Sequence, residues 1–85
     1  MPRALTIQRT LVTPRDRDGF QERLKRKQAY YAKANCKYWA FEEAALPGAF
    51  LEFFEAPDAS TLARAHASAP DPILDPNRVY VEVEF

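Results

Sequence analysis

Four stretches of the chain alternate between apolar and polar residues or are rich in β-branched and aromatic side chains, a pattern that is typical of β-strands. In the first of them, Leu5, Ile7 and Leu11 share one face, and threonine and glutamine fill the other. The second and third are separated by a Pro47-Gly48 pair, which has the chemistry of a turn and indicates a hairpin. The predicted strands are residues 5–12, 36–43, 49–55 and 79–85.

Two further segments carry apolar residues at helical spacing. The first begins either after Thr13-Pro14 or at Asp18, and it ends at Asn35, a residue that tolerates a left-handed terminal conformation. The second begins at the N-cap Asp58 and runs to residue 69. Their inner stripes are Phe20, Leu24, Tyr31 and Ala34 in the first helix, and Leu62, Ala65, His66 and Ala69 in the second.

The element order βαββαβ predicts a ferredoxin-like α+β fold. Right-handed crossovers and a short hairpin favour an antiparallel sheet with strand order 4-1-3-2 and both helices on one face. A chain of 85 residues supports one modest core, so we expect a single domain over residues 1–85.

The more aliphatic face of this sheet is expected to lie under the helices. That inner set is Leu5, Ile7, Leu11, Leu51, Phe53, Val79, Val81 and Val83. The outer face would then carry Phe50, Phe54 and an aromatic residue of the second strand, beside Thr6, Gln8, Thr10, Glu52, Tyr80, Glu82 and Glu84.

Such an outer face is too aromatic for a surface that water covers, because large exposed apolar patches usually mark interaction sites. No third layer remains in the chain to cover it. The sequence therefore predicts a homodimer that packs sheet against sheet. The alternatives are a monomer with scattered surface aromatics, an RNA-recognition fold, or a fragment of a larger assembly.

Charge and composition narrow the possible partners. Twelve basic residues balance twelve acidic ones, and the aromatic-glycine signature of an RNA-binding sheet is missing, so we expect no nucleic-acid partner. The first residues contain no apolar run long enough for a signal peptide or a membrane span, which predicts a soluble, cytoplasmic protein with no membrane partner. The single cysteine, Cys36, has no partner for a disulfide or a metal pair.

Residues 36–70 resemble the antibiotic biosynthesis monooxygenase-like group of the dimeric α+β barrel superfamily. The similar positions are Cys36, Tyr38, Glu52, Asp58, Leu62, Ala65 and His66. The chain departs from that group in two places: its first strand lacks an asparagine, and Asp71-Pro72 replaces an aromatic residue or histidine. The resemblance implies a dimeric barrel and, in its catalytic members, oxidation of aromatic or polyketide-like compounds without a bound metal.

Glu52 and His66 are the candidate catalytic residues. Buried in the lumen of a dimer, Glu52 would act as a general acid or base; alternatively, it pairs with Arg9 or a lysine across the dimer interface. His66 would accept a proton or ligate a metal; alternatively, it is a partly buried histidine bonded to backbone or carboxylate. Lys27, inside the first helix's apolar stripe, is expected to extend its ammonium group to solvent.

A pocket for a small hydrophobic or aromatic ligand would use aromatic side chains. The candidates are Tyr38, Trp39, Phe50, Phe54 and Tyr80. We expect no metal and no cofactor, because nothing in the pattern fixes a ligand geometry. Two functions remain open: a homodimer with a ligand-binding or structural role, and a cofactor-independent monooxygenase-like enzyme.

Overall fold

The computed structural model describes residues 2–85 and consists of a four-stranded antiparallel sheet and two helices. The strands are β1 (Ala4–Leu11), β2 (Lys37–Glu42), β3 (Ala49–Ala56) and β4 (Tyr80–Val81), and the helices are α1 (Arg17–Lys33) and α2 (Ala59–Ala67). The order across the sheet is β2-β3-β1-β4, which is the predicted 4-1-3-2 order read from the other edge. The ferredoxin-like α+β arrangement is therefore confirmed. Neither helix of residues 2–85 combines the length and the apolar character that crossing a bilayer requires.

The helix boundaries follow the predicted capping chemistry. α1 begins at Arg17 after a short 3-10 turn, Pro14–Asp16, so the predicted start after Thr13-Pro14 is confirmed, whereas Asp18 lies inside the first turn of α1 and does not cap it. Asn35 follows α1 with a φ of 63°, which confirms the predicted left-handed terminus. The carboxylate of Asp58 accepts a hydrogen bond from the Thr61 backbone N–H at 2.7 Å and thereby caps α2.

The last strand is shorter than the predicted range 79–85. Only Tyr80–Val81 pairs with β1, and the Glu82 N–H extends the ladder by one bond to the Arg3 carbonyl at 2.9 Å. The antiparallel register sets Ala4 opposite Val81, so the residues after Glu82 extend beyond the first residue of β1. Alternation alone could not reveal this limit.

The prediction of which sheet face lies under the helices is wrong. In the register of β1 and β3, Thr6 is opposite Phe54 and Gln8 is opposite Glu52, and this face is the one that the helices cover. Thr6, Glu52 and Phe54 are fully buried, whereas the aliphatic residues between them are on the opposite face. We call that opposite surface the outer face. It is formed by Leu5, Ile7, Arg9, Leu11, Lys37, Trp39, Phe41, Leu51, Phe53, Glu55 and Tyr80.

Aromatic rings fill the layer between helices and sheet. Tyr31 of α1 packs edge-on against Phe54 of β3, with ring centroids 4.9 Å apart, and Phe20 packs on Phe50 at 4.7 Å. The loop between α2 and β4 contributes Ile73 to this core, while its neighbour Leu74 is exposed. The helices thus hold the polar residues of the sheet's inner face among aromatic rings.

Candidate functional site

Glu52 lies at the centre of a buried hydrogen-bond network between α1 and the sheet. Its Oε1 accepts bonds from the Lys27 ammonium at 2.9 Å and from the Tyr38 hydroxyl at 2.5 Å. Its Oε2 accepts a bond from the Gln8 side-chain amide at 3.1 Å. Gln8 in turn accepts the Leu74 backbone N–H at 2.7 Å. One carboxylate therefore connects α1, three strands and the loop that follows α2.

The Lys27–Glu52 pair overturns the expectation that the Lys27 ammonium reaches solvent. The Lys27 side chain is 7% exposed and the Glu52 side chain is 0% exposed. The alternative interpretation, that Glu52 pairs with a lysine, is right in kind, but the lysine lies in the same chain. Burying two charges is costly unless each is paired and hydrogen-bonded, and here three donors surround the carboxylate.

His66 forms a second buried network, and both of its partners are neutral hydroxyl groups. The Nε2 atom lies 2.7 Å from the Thr6 hydroxyl of β1, and Nδ1 lies 2.8 Å from the Tyr31 hydroxyl of α1. A hydroxyl both donates and accepts, so a neutral imidazole is satisfied whichever of its nitrogens carries the proton. Burial lowers the pKa of His66 from its usual 6.5, and the ring is therefore neutral at pH 7.

The two tyrosines of these networks stay protonated. Burial, more than any other cause, raises the pKa of Tyr31, and it also raises that of Tyr38, whose hydroxyl donates to the Glu52 carboxylate. A phenol in this state donates a hydrogen bond and does not serve as a base at neutral pH. The tyrosines therefore fix the positions of Glu52 and His66.

The predicted pocket residues do not converge on one cavity. Phe50 and Phe54 are buried under the helices, and Tyr38 is half-buried beside them. Trp39 and Tyr80 lie on the outer face and are exposed. The best-formed surface grooves of residues 2–85 are lined by neither Glu52 nor His66. Also within residues 2–85, no three histidine, cysteine or acidic side chains come close enough to hold a metal ion.

The outer face exposes several large apolar side chains. Leu11 is 68% exposed, Phe41 is 58% exposed and Trp39 is 41% exposed. Phe41 packs edge-on against Phe53 with ring centroids 5.7 Å apart, so the aromatic rings form one continuous patch. Both charge signs border this patch, because Arg9 pairs with Glu43 at 3.7 Å. Soluble proteins rarely leave such an apolar surface uncovered.

A further ion pair fastens the start of α1 to the hairpin. The Nη1 and Nη2 atoms of Arg17 each donate to the Glu42 carboxylate at 2.8 Å. The Gly48 N–H donates to the same carboxylate at 2.9 Å. These bonds, with the Arg17 bond first, lower the pKa of Glu42 to about 2. The pair is at the surface, so its contribution to stability is small.

Sequence reasoning found Glu52 and His66 but missed most of their partners. Lys27 and His66 both occupy inner stripes of helices, and a polar group on such a stripe needs a partner on the sheet beneath it. That need was a signal for Thr6 and Gln8, which alternate with apolar residues along β1. Tyr31 gave no sign of its hydrogen bond, because a tyrosine on an apolar stripe is also an ordinary core residue.

Comparison with protein-family models, with curated proteins and with solved structures gave no match for this chain. The resemblance of residues 36–70 to monooxygenase-like barrels therefore stays a prediction.

Proposed function

We propose that the protein works as a homodimer whose two outer faces pack against each other, with a structural or ligand-binding role and no catalysis at Glu52 or His66. The observation that carries this proposal is the row of exposed aliphatic and aromatic side chains across the sheet. A second copy of the chain is the occupant that the surface fits, since a two-fold contact requires a patch that is complementary to itself.

The dimensions of the outer face allow a small contact between two copies of the chain. Its two longest strands have eight residues each, which at about 3.4 Å per residue gives a length of roughly 27 Å. Three gaps of about 4.8 Å separate the four strands. The strands alone therefore outline roughly 27 by 14 Å, an area of about 390 Å², which is about half of the 800 Å² that each partner of a standard interface buries.

The contacts of Glu52 and His66 support a structural role for both residues. Each polar atom of the two side chains has a partner in the chain, and these partners belong to α1, β1 and β2. A general base needs an accessible position beside its substrate. The monooxygenase-like alternative stays a prediction that no observation on this molecule favours.

The oligomeric state of a charged variant tests the proposal. Leu51 lies in the middle of the outer face, opposite Arg9 on one side and Phe41 on the other. We expect sedimentation analysis to find the native chain associated at micromolar concentration, and Leu51→Lys to weaken the contact at least about 100-fold, because each substitution enters a two-fold interface twice.

The matched control is Leu74→Lys, which adds the same charge at an exposed leucine outside the outer face. Leu74→Lys should leave the mass of the assembly in sedimentation analysis unchanged, and circular dichroism should show that both variants are folded. The proposal would be contradicted if the native chain were monomeric at micromolar concentrations, or if Leu51→Lys sedimented with the same assembly mass as the native chain.

A further inference from the structure

We infer that strand β2 is a second contact between copies, in which two β2 strands pair antiparallel around a two-fold axis at Ala40. The sheet order places β2 at an edge, with β3 on one side only. An edge strand presents unpaired backbone groups that are ready to bind another strand. This contact adds to the proposed outer-face dimer, and the two together would produce a tetramer.

The hydrogen bonds of the hairpin show which backbone groups of β2 are free. The Glu43 N–H donates to the Ala49 carbonyl at 2.8 Å, so Glu43 points its backbone groups at β3. In an antiparallel ladder the direction alternates from residue to residue. Tyr38, Ala40 and Glu42 therefore direct their N–H and C=O groups away from the sheet. Ala40 sits at the middle of this free edge.

One register of two β2 strands matches side chains as well as backbone. With Ala40 opposite Ala40 of the second copy, Trp39 faces Phe41, and Lys37 faces Glu43. Aromatic pairs and opposite charges directly across an antiparallel pair stabilise it. A shift by one residue pair in either direction sets Trp39 or Phe41 opposite itself and separates Lys37 from Glu43. The strand is thus complementary to itself in one register.

There is room beside this edge for an incoming strand. A groove of about 330 Å³ follows β2 and is lined by residues 38–41 of the strand and by Leu24, Lys25 and Gln28 of α1. Such a groove, parallel to an unpaired strand edge, fits an extended backbone, which would lie about 4.8 Å from β2. Lys37 also forms no ion pair within residues 2–85, so it is available for Glu43 of a second copy.

Proline at position 40 tests the backbone contact. Ala40→Pro removes an N–H that points away from the sheet, so the β2–β3 ladder keeps its bonds. If both contacts exist, the native chain is a tetramer, Ala40→Pro and Leu51→Lys are each dimers, and the double variant is a monomer. The β2 contact would be overturned if Ala40→Pro kept the oligomeric state of the native chain, or if Leu51→Lys alone were a monomer. A monomer for Ala40→Pro alone would instead contradict the outer-face dimer.

A charge exchange tests the register and does not depend on proline being tolerated. Lys37→Glu places two glutamates opposite each other and should weaken the β2 contact about tenfold, measured as its dissociation constant in the Leu51→Lys background. Adding Glu43→Lys restores opposite charges and should recover the native affinity. Failure of the double exchange to recover it would show that Lys37 and Glu43 do not face each other.

Discussion

At the scale of single residues, the buried Lys27–Glu52 pair decides how α1 sits on the sheet. Its charges lie in a layer that otherwise consists of aromatic and smaller apolar side chains. A pair of this kind adds little net stability compared with well-packed apolar residues, but each half strongly depends on the other. The energetic signature of the pair is therefore coupling between its two members.

Removing either member should be costly. We expect Lys27→Met or Glu52→Gln alone to lower the free energy of unfolding by about 3–5 kcal/mol. Lys27→Met leaves the buried Glu52 carboxylate without its cation, and Glu52→Gln leaves the buried Lys27 ammonium without its anion. The loss of unfolding free energy in the double variant should be smaller than the sum of the two single losses by about 1–3 kcal/mol, which is the coupling energy of the pair. Denaturant titration at one protein concentration measures these values.

The control for this cycle is Lys25→Met, which removes an exposed lysine of the same helix and should change the stability by less than about 0.5 kcal/mol. Additive effects of Lys27→Met and Glu52→Gln would show that the two groups are independent. A Glu52→Gln variant of native stability would reopen a functional role for this carboxylate.

His66 makes the stability depend on pH. Burial lowers its folded-state pKa below 6.5, so the unfolded chain binds the proton more readily. The contribution of His66 to stability is fully present above the unfolded pKa and is lost progressively as the pH drops below about 6.5. His66→Gln, measured by thermal unfolding across this range, should remove most of this slope. An unchanged slope would assign it to other groups.

At the scale of elements, the hairpin turn shows where the backbone itself is constrained. Gly48 has a φ of 93°, a conformation that side-chain-bearing residues rarely adopt. A Cβ atom there would lie 2.5 Å from the Val12 carbonyl oxygen. The Gly48 carbonyl also accepts the Val12 N–H at 2.7 Å, so the turn is fixed against the end of β1.

Two glycine-to-alanine changes should therefore have opposite signs. Gly48→Ala should destabilise the protein by about 1–3 kcal/mol because of the strained φ and the clash with Val12. Gly19→Ala lies in α1, where a Cβ meets nothing within 4 Å, and should stabilise by about 0.5–1 kcal/mol. Equal effects of the two changes in a denaturant titration would contradict this interpretation.

The elements themselves were largely predictable from the sequence. The turn at Pro47-Gly48, the cap at Asp58 and the left-handed Asn35 depend on local chemistry, and all three are present. The length of β4 was not predictable, because it depends on where β1 begins, at the other end of the sequence. Local patterns define an element, but its pairing partner limits it.

At the scale of the whole molecule, element order and handedness were sufficient to predict the sheet order, but not which face lies inward. Alternation sorts the residues of β1 into two sets, and Leu5 and Ile7 belong to the more apolar one. The helices nevertheless cover the set with Thr6, because Lys27 and His66 bring polar groups that require partners. Hydrogen bonds to the helices, together with the packing of Phe50 and Phe54, therefore distinguish the inner face.

The position of β1 at the centre of the sheet has a consequence for synthesis on the ribosome. β1 is made first, yet both of its neighbours, β3 and β4, come much later in the chain. At about 5–20 residues per second, the nascent strand waits several seconds for them. Its apolar side chains stay accessible to chaperones during that interval.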